Sequence, residues 1–261
     1  MGCWKKALIA SAFFIACHSA FALTCAPVGG LQEVGWQRIY DGDTLLLEDG
    51  RRLRLLGINT PEMGREGRAD EVGALAAKSF VERLLAGSRR LYIDPAVEDR
   101  DRYGRLLARV YLGPGRRNLS ELLLEQGLGA LVVVPPNGDG WQCLAAAEQR
   151  ARLAGLGIWS HQPAPAATVS RSGFYVLRGR ISGGSRGGDF IWLELDEHLV
   201  LRVSQRDRQR FSALPGLLGE GRRVEVRGWV IDRQARGGTL KSGYRRWMLP
   251  VRHPAMIRII Q

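Results

Sequence analysis

Histidine is scarce in this chain, and its four copies, His18, His161, His198 and His253, form no pair with metal-ligand or general-base spacing. A serine or cysteine hydrolase built on an imidazole base is therefore without support. Cysteine also numbers four, with no Cys/His cluster of the kind that ligates zinc. The amino-terminal apolar run, Ala7 to Ala16, is too short to span a bilayer and stops at His18. Acidic residues lag behind basic ones, 26 against 38, leaving a formal charge of +12. Excess positive charge alone names no partner, though a polyanion would be held partly by counterion release.

What is present begins with a leader. Lys5 and Lys6 precede the apolar run, and Ala20-Phe21-Ala22 follows as a small-residue cleavage site, so residues 1–22 read as a secretory signal cut after Ala22. The expected location is secreted or periplasmic, with no stable membrane association after cleavage. Cleavage leaves 239 residues and lowers the formal charge to +10, because Lys5 and Lys6 depart. It also leaves Cys25 and Cys143, an even pair in an oxidising compartment, which predicts a structural disulfide.

The chain is organised around Tyr40 to Glu62. Asp41-Gly42-Asp43-Thr44 reads as a turn entering the strand Leu45-Leu46-Leu47, and Asp49-Gly50 as the tight turn of a hairpin returning through Leu53 and Leu55. Arg54 alternates with those leucines, and Pro61 ends the next strand to leave Glu62 on a loop. A second cluster, Asp99 to Arg105, precedes the apolar strand Leu106 to Leu112. Hydrolysis of a phosphodiester needs a cation and fixed positive charge where oxyanion charge develops, and a base for the water. Asp43 offers a hard oxygen ligand, Arg54 and Arg105 offer planar forks for phosphate oxygens, and Glu62 offers the base.

These residues give the chain a resemblance to the staphylococcal-nuclease-like (thermonuclease) family over residues 33–160. It is carried by Asp41-Gly42-Asp43-Thr44, by Arg54 eight residues before Glu62 in Asn59-Thr60-Pro61-Glu62, and by Asp101-Arg102-Tyr103-Gly104-Arg105. Asn118-Leu119-Ser120-Glu121, Glu125-Gln126-Gly127-Leu128 and Gly157-Ile158-Trp159-Ser160 extend it. The resemblance implies a calcium-dependent nuclease acting on DNA and RNA. Arg54 and Arg105 would stabilise the pentavalent phosphorus and Glu62 would be the general base. Asp43 and Asn59 would hold Ca2+ by side chain and Thr60 by its carbonyl, while Asp41 and Asp101 are structural or act behind the ligands. Two positions depart from the family: Asn59 stands where aspartate is usual, and Val132-Val133-Val134 where the best-known member has tyrosines facing the base. The first departure predicts weaker calcium binding and keeps open a catalytically weak or inactive nucleic-acid-binding protein on the same fold.

The expected fold is mainly β with α. Residues 23–160 form a five-stranded barrel of the oligonucleotide-binding (OB) type with surrounding helices, 161–172 form a Pro/Ala linker, and 173–261 form a second, OB-like barrel. Asp70 to Ala86 reads as a helix whose apolar face, Val72, Leu75, Ala76, Phe80 and Leu84, packs on the core. Asn118 with Glu121 reads as a capping box, and the last helix of the first domain runs from Trp141 to Ala154. In the second half, three strands, a short helix within 206–218 and two further strands give the barrel order, with glycine-rich and basic loops suited to single strands. The expected molecule is a monomer whose partner is DNA or RNA in single-stranded form.

Overall fold

A computed structural model describes residues 25–260 except 28, 65–66, 114–116, 212–218, 236 and 238, so the expected signal and its cleavage point lie outside the described residues. The first barrel is built from β1 (Gln32–Ile39), β2 (Thr44–Leu47) and β3 (Arg52–Leu55), followed by the short β4 (Ile58–Asn59), helix α1 (Ala74–Leu85), β5 (Arg90–Arg100) and β6 (Leu106–Tyr111). The β2–β3 hairpin turns at Gly50, whose φ of 85° lies where a side chain is strained. The strands close in the order β1-β2-β3-β6-β5, with β3 and β6 parallel and Leu53 opposite Leu106. Alternate residues Leu45, Leu47, Leu53, Leu55, Leu91, Ile93, Ala108 and Val110 fill the interior.

Helix α1 lies within the expected Asp70 to Ala86 but begins only at Ala74, and it presents a different face. Its buried residues are Ala74, Ala77, Val81 and Leu85, whereas Val72 and Leu75 are 78 % and 63 % exposed. The reason is close approach. A Cβ added at Gly42 would meet the Ala77 methyl at 2.8 Å, so the helix rides directly on the Asp41–Asp43 turn and only small residues fit between them.

Helix α2 (Leu119–Glu125) starts at Asn118, whose side chain accepts the Glu121 N–H at 3.1 Å, as its capping pattern predicts. After β7 (Ala130–Leu131), helix α3 (Trp141–Leu153) ends ahead of Gly155, which has φ 62°. The expected disulfide is present: Cys25 and Cys143 join the segment before β1 to α3 with Cα atoms 5.4 Å apart.

The stretch expected as a linker is held by the second barrel. Its β8 (Ala164–Pro165) runs parallel to β9 (Gly173–Gly187), and Ala166 and Val169 are buried in the second core. The barrel continues through β10 (Phe190–Leu195), β11 (Leu199–Ser204), the single-turn helix α4 (Gln205–Arg208), β12 (Arg223–Asp232) and β13 (Trp247–Pro250). A last strand, β14 (Ile257–Ile259), pairs with β12. Pairing runs β9-β10-β11-β13-β12 and returns from β12 to β9, with β11 and β13 parallel. Both barrels thus have the same strand order and the same single parallel step, as OB-type barrels require.

The two barrels meet across α3 and β12. Ala130, Ala151, Trp159 and Val176 form a small apolar cluster there. Beside it lies a buried set of charges. Arg227 Nη1 is 2.7 Å from both carboxylate oxygens of Glu148, and its Nη2 is 2.8 Å from Glu225. Glu225 also accepts from Arg152 at 2.5 Å and from Arg258 at 2.8 Å. Burial alone would raise the Glu225 pKa, but the three guanidinium groups outweigh it and hold the carboxyl below its ordinary value.

Candidate active site

Three short segments of the first barrel converge on one group of side chains. The Asp41–Asp43 turn is closed by the Asp41 carboxylate, which accepts the Asp43 N–H at 3.0 Å. Asp43 then ties this turn to the end of β4. One of its oxygens accepts the Thr44 hydroxyl at 3.1 Å, and the other accepts the Thr60 N–H at 2.7 Å and its hydroxyl at 3.1 Å. Strand β4 is fixed by pairing with β7, with Asn59 opposite Ala130.

Arg54 is buried in the middle of this arrangement. Its Nη1 donates to the carbonyls of Leu55 and Ile58, each at 2.9 Å. Its Nη2 lies 3.0 Å from Asn59 Oδ1 and 3.1 Å from Asp43 Oδ2. The guanidinium plane is therefore locked in position before any substrate arrives. Asn59 completes the ring by donating its amide N–H to the Thr60 carbonyl at 3.2 Å.

Glu62 stands at the mouth of a clasped loop. Its N–H donates to the Glu71 carboxylate at 3.0 Å, and the Glu71 N–H returns a bond to the Glu62 carbonyl at 3.0 Å. Glu62 is exposed as a residue, but partial desolvation of its carboxylate and then the charge of Asp43 raise its pKa, while Arg54 and Arg105 pull it down. Arg105 enters from the turn before β6, the parallel neighbour of β3. Asp101 aims it: one oxygen accepts the N–H groups of Tyr103 and Arg105, and the other accepts Arg105 Nε at 2.7 Å. Burial works against ionisation of Asp101, but these bonds win and its pKa is lowered.

The structure thus gathers Asp41, Asp43, Arg54, Asn59, Thr60 and Glu62, and sets the Asp101–Arg105 unit alongside. Sequence reasoning missed Glu71, which clasps the loop from nine residues away, and Thr44, which anchors Asp43. Glu71 has no local sequence signature, whereas Thr44 follows Asp43 directly in the Asp41-Gly42-Asp43-Thr44 motif. A cleft of about 410 Å³ between Pro135, Trp141, Arg210 and His253 lies apart from these residues.

The donor set suits a hard cation. Among the described residues no three acidic, histidine or cysteine side chains close on one point, so carboxylates would have to be supplemented by amide and carbonyl oxygens. Burial, and then the charges of Asp43 and Glu62, push Asp41 up to about 7, against the pull of Arg54. Carboxylate, amide and carbonyl oxygens are the ligands a hard divalent metal takes. The oxygens of Asn59 and Thr60 are at present engaged with Arg54 and with the Asn59 amide respectively.

An OB-type barrel that holds carboxylates against two positioned arginines is the layout of a phosphodiester-cleaving enzyme. Comparison with known proteins carries this further. Residues 52–161 match the family described as staphylococcal nuclease homologue. The chain is 35 % identical to the thermonuclease of Staphylococcus intermedius over 127 residues, 47 % of this chain and 73 % of that protein. It is 32 % identical to the thermonuclease of Staphylococcus hyicus, over 48 % of this chain and 73 % of that protein. With endonuclease YncB of Bacillus subtilis it shares 32 % identity, over 57 % of this chain and 67 % of that protein. The chain belongs to the staphylococcal nuclease family and is a nuclease at that level. The family match ends before β8, so the second barrel stands outside it.

Proposed function

We propose that this nuclease is calcium-dependent, exported after cleavage at Ala22, and active as a monomer on single-stranded DNA or RNA. The observation that carries the reading is the buried arrangement in which Arg54 is bonded to Asp43 and Asn59, and Asp43 to Thr60, two residues before Glu62. Asp43 would hold Ca2+, with Asp41 behind it and the oxygens of Asn59 and Thr60 completing the set. The bound ion would supply a Lewis acid toward a phosphate oxygen. Glu62 takes the proton from the attacking water, and its raised pKa makes it a stronger base than an ordinary carboxylate. Arg54 neutralises charge building on phosphorus from a position fixed by its own fold, and Arg105 does so under the aim of Asp101. The test is cleavage of single-stranded DNA with calcium and with a chelator, beside Glu62→Gln. Calcium-dependent cutting that falls by at least about 10²-fold in the variant is expected from loss of a general base; undiminished cutting would remove Glu62 from that role.

One observation favours a second reading. Asn59 brings no charge and its oxygen is bonded to Arg54, so metal binding is weakened at the position where the family carries aspartate. Under this reading the chain is a catalytically weak or inactive nucleic-acid-binding protein on the same fold. A wild-type protein silent at all calcium concentrations, with activity appearing in Asn59→Asp, would establish it.

A further inference from the structure

The second barrel has a face that its own packing does not account for. Along β10, Ile191, Leu193 and Leu195 enter the core, so Phe190, Trp192 and Glu194 lie on the outer side. The Phe190 and Trp192 rings sit 5.6 Å apart, tilted by 53°. Across the ladder, Arg202 of β11 is opposite Trp192, and its guanidinium lies 5.0 Å over the Phe190 ring. From the loop between β12 and β13, Arg233 stands 5.8 Å from Trp192 and 5.1 Å from Tyr244, a ring that is half exposed. Arg245 of the same loop is steadied on Glu194 at 2.7 Å. These rings and guanidinium groups lie on a face that does not enter the barrel's core.

The neighbouring strand supplies the second observation. On β9 the register partners of Phe190, Trp192 and Glu194 are Gly187, Ser185 and Gly183. A Cβ at Gly183 or Gly187 would meet nothing within 4 Å, and neither glycine has a left-handed φ. Gly187 ends β9 beside the Gly188–Asp189 turn and Gly183 stands at the register shift between Glu194 and Leu195, so glycine suits the backbone at both, and both leave the surface open. These two leave an open lane beside the rings.

We propose that this face is a second nucleic-acid site, separate from the cutting site. Bases of a single strand stack on Phe190, Trp192 and Tyr244, Arg202, Arg233 and Arg245 meet the phosphates, and the strand's backbone runs along the lane left by Gly183 and Gly187. Strands two and three of a five-stranded OB barrel, with the loop between strands four and five, form the surface on which oligonucleotides lie in such folds. Among the described residues, the ion pairs, hydrogen bonds and ring contacts to the first barrel come instead from Arg171, β9 at Val176, β12 at Glu225 and Arg227, and Arg252 and His253. Arg202 and Arg233 carry the charge that selects a polyanion over a neutral sugar chain, which also stacks on aromatics, Arg245 being paired with Glu194. The inference rests on the nuclease reading for the class of polymer only, not for catalysis.

The test is anisotropy of labelled oligothymidylate, about 30 nucleotides long, titrated with the mature protein in chelator so that nothing is cut. Each lost ring is expected to weaken binding by roughly tenfold, from the usual worth of one stacked base, so Phe190→Ala with Trp192→Ala loses about 10²-fold. Gly187→Val adds bulk at an open position and is expected to keep the wild-type melting temperature while weakening binding at least tenfold. Cleavage of a dinucleotide substrate too short to bridge both sites stays at the wild-type rate in all of these variants. Should the double-alanine variant melt early, Gly187→Val alone decides. Unchanged affinity in Gly187→Val, or displacement of the oligonucleotide by a neutral oligosaccharide, overturns the proposal. A protein that never cuts but loses oligonucleotide with Trp192 would uphold this site while refuting the nuclease reading.

Discussion

Replacing Arg227 by methionine tests what joins the two barrels. The substitution keeps most of the apolar stem and removes a guanidinium that is 2.7 Å from Glu148 and 2.8 Å from Glu225. Glu225 would keep Arg152 and Arg258. Glu148 would keep the Leu131 N–H at 2.7 Å and a distant Arg152 Nε at 4.0 Å, and so becomes an almost uncompensated buried carboxylate. Breaking a buried pair by removing one partner costs about 3–5 kcal/mol, and the charges retained on Glu225 place this case near the lower end. At ~2–4 °C per kcal/mol for a chain of this size, 3 kcal/mol corresponds to a melting temperature lower by roughly 6–12 °C. Scanning calorimetry of the mature protein at neutral pH reads it. Adding Glu148→Gln removes the stranded charge while keeping an acceptor for Leu131, and should restore more than half of the loss. A single variant that melts within about 1 °C of wild type, or a double variant no better than the single, would refute the reasoning.

Three further outcomes are expected. Glu225 has a lowered pKa, so its ionised form stabilises the fold above the unfolded value near 4.5, and that stability is lost as pH falls through the folded value. Glu225→Gln should therefore flatten the acid limb of a melting-temperature profile, and an unchanged limb would count against it. Asn59→Asp adds one charged ligand and should tighten calcium by about tenfold in calorimetric titration, because ligand charge sets calcium affinity; equal affinity in both proteins would argue that position 59 is not a ligand. Paired Cys25→Ser and Cys143→Ser should lower stability by about 2–5 kcal/mol in urea unfolding, a loss that the wild type shows on reduction.

What was legible in the sequence was local. Asn118 and Glu121 cap α2 through atoms three residues apart, Gly50 turns its hairpin and Gly155 follows the end of α3, so each could be read in a short window. The site could be read because its motifs resemble a family whose spacing is distinctive. Contacts made at a distance, the Cys25–Cys143 bridge apart, were not legible. Spacing picked the larger residues Val72 and Leu75 for the buried face of α1, whereas the approach of Ala77 to Gly42 selects alanines. The stretch 161–172 has a linker's composition, yet Ala166 and Val169 are enough to seat it on the second core. Arg227 and Glu148, 79 residues apart, carry no mutual signature at all.

Cys25 and Cys143 enclose Asp41, Asp43, Arg54, Asn59, Glu62 and Arg105 in one covalent ring of chain. The exposed turns between the two cysteines are where a protease would cut. A single cut anywhere between them opens the ring without dividing the molecule, and the fragments stay side by side around a common core. Where proteases and oxidised thiols occur together, such an enzyme can be nicked and still hold its residues in place.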